Sequence, residues 1–321
     1  MRKIGWLASF LLIAAGAPAP AGAAEPPAWA YTLNPPAAAP AVDTGELFQV
    51  PDSPVRLARK EIAAIGVQVP DWHPAEHPAM PAIVGRGRAP QVYACGYCHL
   101  PNGAGRPENA SLAGLTPAYI RQQMAALRSG DRTSSAPGHL PHVVMTALAK
   151  AATDAEIAEA AAYFGALKPA SFVRVVETET VPRTIVAGWI LAPAPGGGTE
   201  PIGRRVVEMA DDFERFEHRD SRTTFVARVP PGSIRRGAEL AATGGNGRTV
   251  ACLTCHGPEL RGLLDVPRLA GRSPSYLMRQ LYDLQHGTRK GGTAELMKPV
   301  VANLTEDDMI ALAAYAASLN P

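Results

Sequence analysis

The sequence predicts a mainly α-helical protein in which two similar helical domains are joined by a small β-rich insertion. Three observations lead to this fold class. Residues 83–168 and 231–321 match one another when the chain is offset by 157 residues. Residues 169–230 alternate apolar and polar side chains and are rich in β-branched residues, as strands are. Residues 25–82 are rich in proline, which predicts an irregular N-terminal extension.

The internal repeat keeps its register over most of each domain. The offset of 157 pairs Leu112-Ala113-Gly114 with Leu269-Ala270-Gly271, and also the following residues: Cys95 with Cys252, His99 with His256, Tyr119 with Tyr276, Gln123 with Gln280, and Arg132 with Arg289. The offset then falls to 152, because the first copy has five extra residues around positions 134–139. With the new offset Met145 meets Met297 and Tyr163 meets Tyr315. We therefore expect one fold built twice.

Helix-start signals recur at equivalent places in the two copies. Thr116-Pro117 and Ser273-Pro274 predict the first turn of a helix, since proline is tolerated there. Another helix is expected to begin at Thr153 and at Thr305, and we expect a loop carrying Met145 or Met297 ahead of it. Residues 233–242 predict one more helix in the second copy, and residues 55–65 a short one in the N-terminal extension.

All four cysteines lie in two Cys-x-x-Cys-His motifs, Cys95 to His99 and Cys252 to His256. This pentapeptide is typical of c-type haem attachment, in which both thiols bond the haem vinyl groups and the histidine becomes an axial iron ligand. A four-cysteine zinc site and ordinary disulfides are the alternatives. They explain the spacing less well, because more than 150 residues separate the pairs and neither uses the histidines. The motifs predict two covalently attached haem c groups, held by Cys95, Cys98, Cys252 and Cys255, with His99 and His256 as ligands.

A second axial ligand is predicted for each iron. Met145 and Met297 occupy equivalent positions of the repeat, and a methionine thioether raises the reduction potential of a haem. Nearby histidines are the competing candidates, although they do not match between the copies: His139, His142 and His286, with His73 and His77 farther upstream.

The N-terminus predicts export. Residues 1–24 contain a charged start, an apolar stretch and a run of small residues, which together predict a cleavable signal peptide and a periplasmic protein. No later segment has eighteen consecutive apolar residues, so we expect a soluble or peripherally membrane-associated protein. The formal net charge is only +2, and basic residues do not cluster among aromatic ones. Nucleic acid is therefore not expected as a partner.

Taken together, the haem motifs, the Leu-Ala-Gly and Pro-x-Tyr segments, and the methionine followed by a helix with Ala-Ala-Tyr resemble class I c-type cytochromes of the two-haem cytochrome c4 type. The resemblance implies His/Met-ligated haems and electron transfer between the two domains. It also implies that a backbone carbonyl after each motif receives the ring N–H of the histidine. Pro267 fits that role, whereas the first copy has Ala110 there.

Two functions follow from these features. The first is an electron carrier, or an electron-relay subunit of an oxidoreductase complex, whose partners are redox proteins such as a dehydrogenase or a terminal oxidase. The alternative is a two-haem, peroxidase-like enzyme, which requires one iron without a strong sixth ligand. Equivalent methionines in both copies favour the carrier, and no catalytic residues are predicted.

Overall fold

The structure is a computed structural model that describes residues 25–34, 45–65 and 67–321. The predicted signal peptide, residues 1–24, lies outside the described residues. The N-terminal extension contributes a short hairpin and two short helices: β1 Leu47–Phe48, β2 Leu57–Ala58, α1 Arg59–Ile62 and α2 Ala82–Gly85. The helix expected over residues 55–65 is thus a single turn, because the chain pairs as a strand immediately before it.

The first copy of the repeat is helical. Its elements are α3 Cys95–His99, α4 Pro117–Ser129, α5 Leu140–Ala151 and α6 Asp154–Ala166. The side chain of Thr116 accepts a hydrogen bond from the Tyr119 amide at the start of α4, as expected for an N-cap followed by proline. Thr153 and Glu156 form a capping box at the start of α6. These helices enclose an apolar core that includes Ile120 and Phe164.

Short strands dominate the stretch between the copies. They are β3 Val173–Glu177, β4 Thr180–Pro182, β5 Thr184–Ala187, β6 Ile190–Pro193, β7 Thr199–Pro201, β8 Val207–Ala210 and β9 Phe225–Val229, with helix α7 Phe213–Glu217 before the last. β9 lies between β3, to which it is parallel, and β8, to which it is antiparallel. β4 pairs with β7 and β5 with β6, both antiparallel.

The second copy repeats the helical pattern. Its helices are α8 Ser233–Thr243, α9 Leu253–His256, α10 Pro274–Gln285, α11 Lys298–Val301 and α12 Glu306–Ser318, with 3₁₀ turns at Pro258–Leu260 and Gly292–Met297. The helix predicted over residues 233–242 is confirmed as α8. Helix α8 packs on α12, and the buried core here includes Leu240, Met278 and Ile310. Among the described residues, none of the helices combines the length and apolarity needed to cross a membrane.

Asp308 ties the start of α12 to the rest of the second copy. Its buried carboxylate accepts a hydrogen bond from the Thr305 amide, 3.0 Å away, in a capping box. The same carboxylate pairs with Arg236 of α8 at 2.6 Å and with Arg248 at 3.3 Å. Burial acts to raise the pKa of Asp308, but the Thr305 hydrogen bonds and Arg236 outweigh it and hold the pKa below its ordinary value.

We expect Asp308→Asn to lower the free energy of unfolding by about 2 kcal/mol at pH 7, because it leaves two arginines without their buried partner. A depressed carboxyl pKa stabilises the fold at pH values above the unfolded pKa, and this contribution is lost as the pH falls through the folded pKa. The gap between wild type and variant should therefore close below about pH 4. Urea unfolding at pH 7 and pH 3 measures this, and a gap of equal size at both values would contradict it.

Candidate cofactor site

The two motif histidines are held in the same way. His99 and His256 end helices α3 and α9 and are buried. The Nδ1 atom of His99 lies 2.8 Å from the Ala110 carbonyl oxygen, and that of His256 lies 2.8 Å from the Pro267 carbonyl oxygen. Donation from Nδ1–H fixes the neutral tautomer and leaves Nε2 free to bind a metal. Burial lowers the pKa of both imidazoles, which also favours the neutral form.

The expected hydrogen bond from His256 to the Pro267 carbonyl is present, and in the first copy His99 makes the equivalent bond to Ala110, without a proline. The acceptor is a backbone oxygen, so its position depends on the course of the loop and not on the side chain at residue 110. Arg106 and Asn109 bond one another through their backbones in this loop, as Leu263 and Val266 do in the second copy. The two histidines are therefore oriented equally well.

A cavity of about 170 Å³ adjoins the first motif. The predicted site residues Cys95, Cys98, His99 and Met145 all line it. The remaining wall is largely apolar and comes from α4, α5 and α6: Ile120, Met124, Leu127, Leu148 and Phe164. Tyr276 and Arg279 of α10 close one side. The cavity thus brings two thiols, one imidazole and one thioether to the wall of a single apolar space, which is the donor set that covalent haem binding uses.

Both predicted methionine ligands are half-buried, but their backbone setting differs from the expected loop. Met145 lies within helix α5, whereas Met297 is the last residue of a 3₁₀ turn and directly precedes α11. The expectation of a loop was wrong for Met145, because the extra residues of the first copy let α5 begin at Leu140-Pro141 and run on. Met297 and Cys252 both pack against the same apolar cluster of the second copy.

Three of the four cysteines are half-buried, and Cys255 is exposed. Burial raises the pKa of Cys95 to about 12 and that of Cys252 to about 11, and it also raises the pKa of Cys98. All four cysteines are free thiols. The zinc alternative requires these thiols to meet, and within the described residues no group of three or more His, Cys, Asp or Glu is placed to hold a metal ion.

His139 is the strongest competitor of Met145. It is buried, lines the same cavity, and its Nε2 atom has no hydrogen-bond partner. Burial, with the charge of Arg279, lowers its pKa to about 3, so the ring is neutral. His142 also lines the cavity, with Nε2 3.3 Å from the Thr146 hydroxyl.

The other histidines are engaged elsewhere. His73 Nε2 lies 3.0 Å from Asp220 in a buried pair, and His77 Nε2 lies 3.1 Å from Asp71. The ring of His286 stacks on Tyr282 with 3.9 Å between centroids. These three side chains have protein partners that account for their positions.

Buried and half-buried arginines lie at the cavity and at the neighbouring interface with the second copy. Arg132, Arg272 and Arg279 line the cavity, and the Nε atoms of Arg268, Arg272 and Arg289 are buried without a hydrogen-bond partner. Unpartnered guanidinium N–H groups beside a cavity are suited to carboxylates. Haem carries two propionate carboxylates, and Arg272, which lines the cavity with an unpartnered Nε–H, fits one of them.

A hydrogen-bonded network with two-fold repeat symmetry joins the copies. Arg132 donates to Gln123 in its own copy and to Tyr276 and Gln280 across the interface, at 3.0, 3.2 and 3.0 Å. Arg289 makes the equivalent bonds, to Gln280 and to Tyr119 and Gln123, at 2.9, 3.0 and 3.0 Å. The repeat had already paired all six residues, so sequence matching carried this signal, although it did not show that they meet.

The charges of this network act on Tyr276. Burial raises the pKa of its phenol, but Arg132, Arg272 and Arg289 together outweigh that and lower the pKa to about 7. The positive charges of three arginines therefore act together on Tyr276 at the interface between the copies.

Comparison with known proteins gives the family. No family model matches the chain. Cytochrome c-554(548) of Halomonas halodenitrificans is 37% identical over 78 residues, which is 24% of this chain and 94% of that protein. The chain belongs to the c-type cytochromes. Cytochrome c4 of Pseudomonas aeruginosa is 25% identical over 249 residues, covering 76% of this cytochrome and 91% of the relative.

Two further matches concern thiosulfate dehydrogenases. The thiosulfate dehydrogenase electron acceptor of Stutzerimonas stutzeri is 27% identical over 237 residues, or 73% of this chain and 82% of that one. The solved structure of thiosulfate dehydrogenase (TsdBA) from Marichromatium purpuratum matches with a TM-score of 0.50 and 31% identity over 74% of this chain. This cytochrome spans 38% of that protein's length. The chain is thus an electron-transfer cytochrome that is similar to cytochrome c4, with haem c as its cofactor.

Proposed function

We propose that this cytochrome is exported to the periplasm and passes electrons between redox proteins through two covalently bound haems, each ligated by histidine and methionine. The observation that carries the proposal is the cavity wall shared by Cys95, Cys98, His99 and Met145. The repeat extends the same donor set to Cys252, Cys255, His256 and Met297. A haem supplies a reversible one-electron Fe(III)/Fe(II) couple when bound.

The protein's own residues would bind and tune that group. The thiols would attach each haem covalently. The Nδ1–H bonds to the Ala110 and Pro267 carbonyls hold each imidazole in the orientation and tautomer that iron ligation needs. The half-buried thioethers of Met145 and Met297 would raise the reduction potentials. The apolar wall formed by side chains such as Ile120 and Leu127 keeps water away.

The buried arginines would receive propionates. Arg272 comes from the second copy, yet it lines the cavity of the first, so one domain would contribute to the anion site of the other. Its unpartnered Nε is the supporting observation. The Arg132 and Arg289 network fixes the two domains relative to one another at the same interface.

The finer domain plan belongs to the same proposal. Residues 1–24 would be the cleaved signal peptide, 25–82 the N-terminal extension, 83–168 and 231–321 the haem domains, and 169–230 a β-rich insertion between them. The seven strands between Val173 and Val229 support the last assignment. The mature protein would be soluble or peripherally attached to the membrane.

A dehydrogenase is the partner that the comparisons favour. Relatives that match nearly three quarters of this chain carry the name thiosulfate dehydrogenase electron acceptor. We propose that this protein likewise accepts electrons from a dehydrogenase, and that a terminal oxidase or another carrier receives them.

Haem stoichiometry tests the proposal. Intact-mass measurement of the protein produced with a c-type maturation system should show two haem additions. The double variant Cys95→Ala/Cys98→Ala should carry one, and the matched variant Cys252→Ala/Cys255→Ala should also carry one. Bound zinc, or an unmodified wild-type polypeptide after maturation that loads a control cytochrome, would contradict the assignment.

A further inference from the structure

The repeat allows the surroundings of the two motifs to be compared position by position, and they differ sharply in exposure. Tyr97 in the first motif is only 5% exposed, whereas its equivalent Thr254 lies at the surface. Cys98 is half-buried, whereas Cys255 is exposed. A thioether bond places the haem edge beside its cysteine, so exposure of the sulfur reports exposure of that edge.

The loop after each motif shows the same contrast. Arg106, Pro107 and Glu108 of the first copy are all buried. Their equivalents Leu263, Leu264 and Asp265 are all exposed, Leu264 to 88%. The exposed Leu263 thus stands where the first copy buries Arg106, and the exposed Asp265 where it buries Glu108. The copies share one fold, so the difference comes from what is added around the first.

Two added segments cover the first motif. The first belongs to the N-terminal extension, residues 62–65 and 67–76, and the second to the insertion, residues 213–222. We call them together the cap. The Tyr97 hydroxyl donates to the Ile62 carbonyl at 3.1 Å, and Arg219 donates to the Tyr97 carbonyl at 3.0 Å. The Arg219 guanidinium also lies 3.8 Å from the centre of the Tyr97 ring, and that of Arg106 lies 3.7 Å from the Phe216 ring. Cation–π contacts of this kind stabilise buried guanidinium groups.

The cap is held together by its own polar contacts. Trp72 is buried and its Nε1–H donates to the His218 carbonyl at 2.8 Å. His73 pairs with the fully buried Asp220 at 3.0 Å. Glu76 forms an ion pair with Arg222. These bonds join the N-terminal part of the cap to the part near α7, so the cover over the first motif is a fixed structure.

The second motif has an open rim with little net charge. Leu263 lies against Gly257, since a Cβ on that glycine would be 3.8 Å from the Leu263 Cβ, and Val250 is exposed two residues before Cys252. Glu259 and Arg261 are exposed but pair with one another at 3.0 Å. We call Val250, Thr254, Cys255 and Leu263 the port. Val250 and Leu263 make its rim partly apolar, and the exposed Asp265 leaves one negative charge that has no ion-pair partner among the described residues.

We propose that the cap closes the thioether edge of the first haem, and that electrons enter and leave this protein through the port of the second. This rests on the proposed function. The partner that fits is a one-electron redox protein with an apolar, weakly charged rim around its own cofactor. Each encounter oxidises one partner by one electron and reduces the other by one, and no bond forms. The first haem then exchanges electrons only with the second.

Substitutions that place a positive or a negative charge at one surface position test the port. Oxidised holoprotein is mixed with hexacyanoferrate(II), an anionic outer-sphere donor, and haem reduction is followed by stopped flow at low salt. Leu263→Lys should speed the bimolecular phase and Leu263→Glu should slow it, each by about three- to tenfold, because the Coulomb term at contact is of that order. The control positions are Ile185 on the insertion and Leu140 on α5, which are also exposed and apolar. Their substitution by Lys or Glu should change the bimolecular rate constant less than twofold.

The wild-type kinetics give a second readout. One haem should be reduced at a rate proportional to reagent concentration, and the other at a rate that does not depend on it. If the Leu140 variants change the bimolecular rate constant as much as the Leu263 variants do, the proposal that electrons pass through the port is wrong. Two bimolecular phases with similar rate constants would also contradict it. A protein that exchanges no electrons with the reagent would overturn the proposed function itself, so the two failures are distinguishable.

Discussion

Met145→Ala is expected to lower the reduction potential of the first haem, and Met297→Ala that of the second, while the other haem changes little. A thioether ligand stabilises the reduced iron, and axial ligands span about 0.8 V of haem potential, so we expect each loss to be on the order of 100 mV. Spectroelectrochemical titration of the holoprotein measures both couples. The weak absorption band of Met–Fe(III) ligation should fall by half in each variant.

The neighbouring residues supply matched controls. Met124 lines the same cavity but is assigned to packing, so Met124→Ala should leave the ligation band intact. His139→Ala decides between the two candidate ligands of the first copy, because His139 is buried with a free Nε2. If the band and the potential of the first haem survive Met145→Ala but change in His139→Ala, then the methionine assignment is wrong.

Gly237→Ala is expected to destabilise the second domain more than any other glycine-to-alanine change on an ordinary helical backbone. Gly237 lies where α8 crosses α12, and an added Cβ would lie 2.0 Å from the Ala311 carbonyl oxygen and 2.7 Å from the Tyr315 Cβ. Overpacking of this kind costs about 3 kcal/mol, and the higher helix propensity of alanine returns about 1 kcal/mol. We expect a net loss of about 2 kcal/mol in the free energy of unfolding.

Gly138→Ala is the control for that variant. A Cβ at Gly138 meets nothing within 4 Å, so the unfolding midpoint should shift little. Urea unfolding followed by far-ultraviolet circular dichroism measures both. Equal midpoints for the two variants would show that α8 and α12 do not pack as closely as described.

Much of the fold could be predicted because its signals are local or repeated. Helix α8 was evident from residues 233–242, and the capped starts at Thr116 and Ser273 from Ser/Thr-Pro pairs. The repeat predicted matching donor sets for the two copies. It also paired Arg132 with Arg289, which proved to cross between the copies.

The parts that could not be predicted depend on distant contacts. Tyr97 is buried by Ile62 and Arg219, residues 35 and 122 positions away, and no local pattern marks that encounter. Met145 was expected in a loop ahead of the last helix, yet it lies within α5, which accepts Pro141 in its first turn. The sequence made His139 a competing ligand only by its place near Met145, and its unpartnered burial is visible only in three dimensions.

Electron paramagnetic resonance of the fully oxidised holoprotein tests the central claim most directly, with the spins quantified against total haem. The account predicts that all haem is low-spin ferric iron, two per chain, because both irons have a histidine and a methionine ligand. A high-spin signal that integrates to one haem per chain would contradict it, because one iron would then have an open position for chemistry.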